Sequence, residues 1–141
     1  MTNNYPAYII LIIETIRLFL KKVILNLERK VLKKTILIDL DGVLNTYSGK
    51  FDEKVIPQPK TGVDDFLKEL NKTFKIKIFT TRNKILVAKW LIENKLDYFI
   101  DDITNVKELC WLYIDDRCIS FDGNYEILTK EIKNFQPWYK K

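Results

Sequence analysis

The chain contains no histidine. That excludes histidine general bases, phosphohistidine chemistry, Ser-His-Asp triads and most zinc sites. Its two cysteines, Cys110 and Cys118, have no CxxC spacing and no partner cluster. They read as reduced core thiols, which suits a cytoplasmic setting better than a disulfide framework. There is no internal repeat and no low-complexity tract. The uncharged run from Tyr5 to Ile13 is too short to span a bilayer. A signal peptide would place basic residues ahead of its apolar run, whereas here they follow it. What remains is 141 residues of ordinary globular composition, enough for one domain with a real core.

Negative charge is scarce only at the front. Residues 1–34 carry seven Lys and Arg against two Glu, whereas residues 35–141 carry seventeen of each sign. The net charge of +5 therefore belongs to the first segment, and the rest is neutral. A basic groove is not indicated for the main body, so nucleic acid is not an expected partner of any site there.

The most informative segment is Thr35 to Asn45, TILIDLDGVLN. An apolar run, Ile36, Leu37 and Ile38, ends in two carboxylates, Asp39 and Asp41, and then Gly42. Such a run reads as a buried parallel strand. Strand alternation would point Asp39 and Asp41 the same way, and two like charges so placed call for a cation or a proton. Two further runs end similarly. Lys75 to Phe79 leads into Thr80, Thr81 and Arg82, and Trp111 to Ile114 leads into Asp115, Asp116 and Arg117. Lys107 lies between them. Carboxylate pairs, a hydroxyl pair and one lysine are what phosphoryl transfer through an aspartyl intermediate requires. It needs a carboxylate nucleophile, hard oxygen ligands for Mg²⁺, and donors for the phosphoryl oxygens.

In these four motifs the chain resembles the haloacid dehalogenase superfamily, in its phosphatase branch. The first motif is matched by Asp39-Leu40-Asp41-Gly42, the second by Thr80 or, one place on, Thr81, the third by Lys107 and the fourth by Asp115-Asp116, in the family's order. Response-regulator receivers use a similar set, but there the paired acids come first. The resemblance covers roughly residues 34 to 141 and implies a role for each residue. Asp39 attacks phosphorus. Asp41 protonates the leaving alcohol and then activates water. Thr80 donates to a phosphoryl oxygen, and Lys107 neutralises the local negative charge. Asp39, the backbone carbonyl of Asp41, and Asp115 or Asp116 hold Mg²⁺. The family's dehalogenases lack the second acid, so Asp41 points to phosphate esters. Lys84 and Lys95 are rivals for the lysine but fall in a helical pattern. Arg82 and Arg117 read either as phosphate contacts or as salt-bridge partners, and Asn45 and Thr46 as turn polarity.

The implied architecture is an α/β, three-layer, Rossmann-like parallel sheet with helices on both faces, preceded by an amphipathic helix. Helices are expected over 62–71, 84–94 and 125–135, with an irregular stretch over 43–61. A short strand or turn is expected over 98–103, and a last strand over 118–121. Trp90, Trp111 and Trp138 read as packing residues. About 38 residues separate Asp41 from Thr80, and fewer than 30 separate Thr80 from Lys107. Neither gap holds a cap domain, so the resemblance is to a capless member. Residues 1–33 form the helical front segment and 34–141 the catalytic unit. The front helix, Tyr8 to about Leu32, suits three roles: lying on a membrane surface, self-association or docking, or a tilted anchor that would have to bury Glu14 and Arg17. The expected activity is a Mg²⁺-dependent phosphomonoesterase acting on a small or macromolecular phosphorylated substrate. The alternatives are a non-catalytic Mg²⁺- and phosphate-binding module and a polynucleotide-end phosphatase.

Overall fold

A computed structural model describes residues 6–140. The chain separates into two units, residues 1–33 and 34–141. In the first, helix α1 runs Ala7–Leu32, opened by Pro6, and its described side chains are mostly exposed. No helix among the described residues is long and apolar enough to cross a membrane.

The second unit is an α/β fold built on a four-stranded sheet. The strands are β1 Lys34–Asp39, β2 Phe74–Phe79, β3 Asp102–Thr104 and β4 Leu112–Ile114. All neighbours are parallel, in the order β3-β2-β1-β4. Helix α2 (Val63–Asn71) connects β1 to β2, α3 (Lys84–Glu93) follows β2, and α4 (Tyr125–Asn134) follows β4. Local chemistry sets these boundaries. The side chains of Asn83 and Asn124 accept hydrogen bonds from the first free amides of α3 and α4. Gly62, at φ +81°, supplies the left-handed turn into α2.

The register explains the burial. Ile36 and Ile38 of β1 align with Ile76 and Ile78 of β2, so all four share one face. Leu67 of α2 and Val87, Trp90 and Leu91 of α3 close over that face. On the opposite face Leu37 is fully buried between Lys77 and Tyr113, its register partners. Lys77 there is ion-paired to Glu108 at 2.6 Å and to Asp102 at 3.4 Å. The hydrogen bond Lys77 donates to Glu108 holds the Lys77 pKa above its ordinary value.

Two expectations about local structure change. The segment 98–103 resolves into a short 3₁₀ turn, Asp97–Phe99, followed by the first residues of edge strand β3. No strand forms over 118–121. Asx turns close on either side of it, with Arg117 N donating to Asp115 and Asn124 N to Asp122, and they leave too few residues to extend the sheet. Of the tryptophans, Trp90 is buried, while Trp111 is largely exposed with the Lys34 ammonium 3.4 Å from its ring centre.

The strand order makes a testable distinction within one row of the sheet. Ile76→Ala, at a fully buried position, is expected to cost about 2–5 kcal/mol in urea unfolding. Leu112→Ala, in the same row but half exposed on edge strand β4, is expected to cost well under half of that.

Candidate functional site

In this strand order the chain leaves β1 toward β2 and β3, then returns to the other side of β1 as β4. Ligands of open α/β sheets bind beyond the carboxyl ends of the strands at such a reversal. Asp39 is the last residue of β1, Thr80 follows β2, and Asp115 and Asp116 follow β4. All four line a cleft of about 260 Å³, together with Asp41, Tyr47, Phe51, Phe79, Thr81 and Arg117.

Oxygen atoms of Asp39, Asp115 and Asp116 lie within 4.8 Å of one another. The Asp39 carboxyl is pushed up to about 7, first by burial and then by the negative charge of Asp115, with smaller contributions from Asp41 and Asp116. The Leu40 amide opposes this by hydrogen bonding. Asp116 is also raised, mainly by burial, against the pull of Arg117 and Lys60. Its Oδ2 is buried without a hydrogen-bond partner. Three crowded carboxylates, two of them resisting ionisation and one with an unsatisfied oxygen, fit a hard divalent cation. An all-oxygen donor set matches Mg²⁺ or its close relatives.

Tight backbone makes this crowding possible. After Asp39 the chain turns at once through Gly42, which lies at φ +89°. A Cβ at Gly42 would fall 2.6 Å from Asp116 Oδ2, so a side chain is excluded both by conformation and by space. Asn45 holds the turn shut. Its Oδ1 accepts from Gly42 N at 3.2 Å and Tyr47 N at 3.0 Å, and its Nδ2 donates to Asp41 at 2.9 Å. The segment beyond leaves and returns as one loop. Thr46 N donates to Gln58 O and Lys60 N to Leu44 O at its base.

Asp41 stands apart from the carboxylate triad. Arg82 Nε donates to its Oδ2 at 2.6 Å, and the Arg82 side chain is only 1 % exposed. The same guanidinium donates to the carbonyls of Asp52 and Val55 in the loop, and it lies 4.5 Å from the Phe51 ring centre. Arg82 therefore ties the loop to Asp41 from behind and does not line the cleft. Asn45, expected as turn polarity, is a fully buried junction of the same network. Arg117 does line the cleft, 3.7 Å from Asp116.

The lysine is where sequence and structure part. Lys107 is not among the cleft-lining residues, and its ammonium sits 5.5 Å from the Tyr113 ring centre. The segment between β3 and β4 is a loop, with no helix to present Lys107 to the strand ends. Lys60, missed in the sequence, donates to the Gly42 carbonyl and lies 3.9 Å from the Trp138 ring centre. Burial lowers its pKa, and Asp116 draws it back up. Trp138 Nε1 also donates to Gly42 O, at 3.0 Å. Nothing in the local pattern of residues 43–61 marks Lys60. Its role arises from the loop's return. Thr80 is buried, with its amide donating to Thr104 O and its hydroxyl accepting from Arg82 N.

No protein-family model matches this chain, and no curated protein is similar to it in sequence. Its fold is similar to that of a conserved protein from Bacteroides thetaiotaomicron. That likeness has 19% identity and a TM-score of 0.50, and covers 72% of this chain and 91% of the other. At that identity the likeness bears on the fold alone.

Two predictions follow from the charges. The raised Asp39 pKa means that the folded, ion-free protein keeps a proton that the unfolded chain releases near 3.8. The stabilisation is complete below that value and is lost as the pH rises through about 7. Thermal unfolding without divalent ions should therefore show a falling midpoint between about pH 5 and pH 7.5. Mg²⁺ should raise the midpoint most at the upper end. Asp39→Asn should flatten the profile and abolish the Mg²⁺ response. A flat wild-type profile indifferent to Mg²⁺ would contradict the charge assignment. Separately, Arg82→Met strips a half-buried carboxylate of its buried ion partner and should cost about 3 kcal/mol in chemical denaturation. Adding Asp41→Asn to that variant should recover part of the loss.

Proposed function

We propose that residues 34–141 form a capless phosphatase of the haloacid dehalogenase type, a Mg²⁺-dependent phosphomonoester hydrolase working through an aspartyl-phosphate. The observation that carries this reading is the gathering of Asp39, Asp115 and Asp116 at one strand-end cleft, with Asp41 and Thr80 in its walls. Mg²⁺ would be held by those three carboxylates, and when bound it would neutralise the site and polarise the phosphoryl oxygens.

The chain's own residues supply the rest. An Asp39 oxygen forms a bond to phosphorus while the bond to the leaving alcohol breaks, giving a mixed anhydride on Asp39. Thr80, fixed by its backbone bond to β3, presents its hydroxyl to a phosphoryl oxygen. Asp41 gives a proton to the departing alkoxide and takes one from the water that later attacks phosphorus, and this second attack frees inorganic phosphate and restores Asp39. Arg117 is a cation in the cleft wall, and on this reading it takes the charge-neutralising role that the resemblance implied for Lys107. The cleft walls carry Tyr47, Phe51 and Phe79, and the substrate's leaving group packs against them. We read the setting as cytoplasmic, where Cys110 and Cys118, both unpaired, stay reduced.

One observation favours a second reading. Both Asp41 oxygens are already engaged, Oδ2 by Arg82 Nε and Oδ1 by Asn45 Nδ2, which leaves less of that carboxylate free to serve a substrate. A Mg²⁺- and phosphate-binding module without turnover would tolerate that arrangement.

Hydrolysis of p-nitrophenyl phosphate separates the two. The wild type should turn it over only with Mg²⁺, and Asp39→Asn should lose about 10³-fold or more, since a covalent nucleophile contributes several kcal/mol. Asp41→Asn should lower kcat/KM less for p-nitrophenyl phosphate, whose leaving group needs no proton, than for an alkyl phosphate. Equal activity of wild type and Asp39→Asn would overturn the phosphatase reading. Saturable phosphate binding without turnover of any ester would select the binding module.

A further inference from the structure

We propose that α1 is a surface-lying helix for an anionic lipid bilayer, independently of any catalytic role of the second unit. Over 26 residues the helix extends roughly 39 Å, at 1.5 Å per residue. Ile9, Ile12, Ile16, Phe19, Val23 and Leu27 recur at steps of three and four and so share one side. Five of these six are exposed and Ile9 is half exposed. An apolar face of this length left to water requires a cover.

Charge identifies the cover. The chain's whole net charge of +5 resides in residues 1–34, and every Lys and Arg of that segment falls at or after Arg17. Arg17 and Lys22 flank the apolar side and Lys21 lies across from it; from the flanks, long stems reach outward to headgroups while the helix lies flat. A second copy of α1 would bring the same sign of charge to those flanks and repel. A lipid surface of negative charge is complemented by them. Spanning is not the geometry, because the helix is not apolar enough to cross.

The test is flotation of the full chain with phosphatidylcholine vesicles, with and without about one-third phosphatidylglycerol. The expected result is co-flotation with the anionic vesicles, weakened by salt and much lower on the neutral ones. Ile16→Glu should abolish it. Lys21→Glu with Lys22→Glu should reduce it about tenfold or more while leaving the unfolding midpoint of residues 34–141 unchanged. Leu25→Gln, on the side away from the apolar stripe, should float like wild type. Three outcomes would overturn the proposal: no partition onto either vesicle, equal and salt-insensitive partition onto both, or a stable dimer that Ile16→Glu dissociates and that ignores vesicles.

Discussion

Mutual repulsion among carboxylates is the constraint around which this fold is arranged. A parallel sheet delivers every strand's carboxyl end to the same edge, and this sheet loads that edge with acids. Asp39 and Asp115–Asp116 arrive from adjacent strands, with their oxygens within 4.8 Å of one another. Water would separate such charges, and here burial works with the repulsion to raise Asp39 to about 7. An edge that gathers such acids suits a positive charge, and folding strength elsewhere must hold the acids together.

That strength comes from two places. The first is the apolar face made by Ile36, Ile38, Ile76 and Ile78 under α2 and α3. The second is a polar brace behind the cleft. Gly42 lets Asp116 approach the backbone, Asn45 closes the turn, and Arg82 spans from Asp41 to the loop carbonyls of Asp52 and Val55. Lys60 and Trp138 converge on the single carbonyl of Gly42. The brace engages the Asp41 carboxylate through Asn45 and Arg82, so that two acids two residues apart on one cleft occupy different electrostatic settings. One is a crowded carboxyl and the other an ion-paired one. Under the proposed phosphatase reading, this difference in setting is what would let one residue type serve as both nucleophile and proton carrier.

Much of this was legible along the chain because it is local. The β-branched run before Asp39 and the Asp115–Asp116 exit mark strand ends. The helical patterns over 62–71, 84–94 and 125–135 held to within a residue or two. What was not legible depends on return paths. Lys60 reaches Gly42 only because the loop after β1 folds back between Leu44 and Lys60, and no periodicity in that loop announces it. Arg82 read either as a phosphate contact or as a salt-bridge partner; it is ion-paired to Asp41, and its burial is set by a loop thirty residues away in sequence. Lys107 carried an expectation borrowed from the resemblance, but eight residues before Asp115 leave no helix to aim it. The run at 118–121 has strand composition, yet turns on both flanks claim its ends.

The two units divide the physical work. Residues 35–141 are charge-neutral overall and concentrate their acids at one edge, while the front segment holds the excess of positive charge beside an apolar stripe. The central claim concerns the former, and a crystal grown with Mn²⁺ and recorded at its absorption edge tests it most directly. The account predicts one anomalous peak bounded by carboxylate oxygens of Asp39, Asp115 and Asp116. Saturating Mn²⁺ with no peak there, or with those three side chains turned away from a common point, would contradict it.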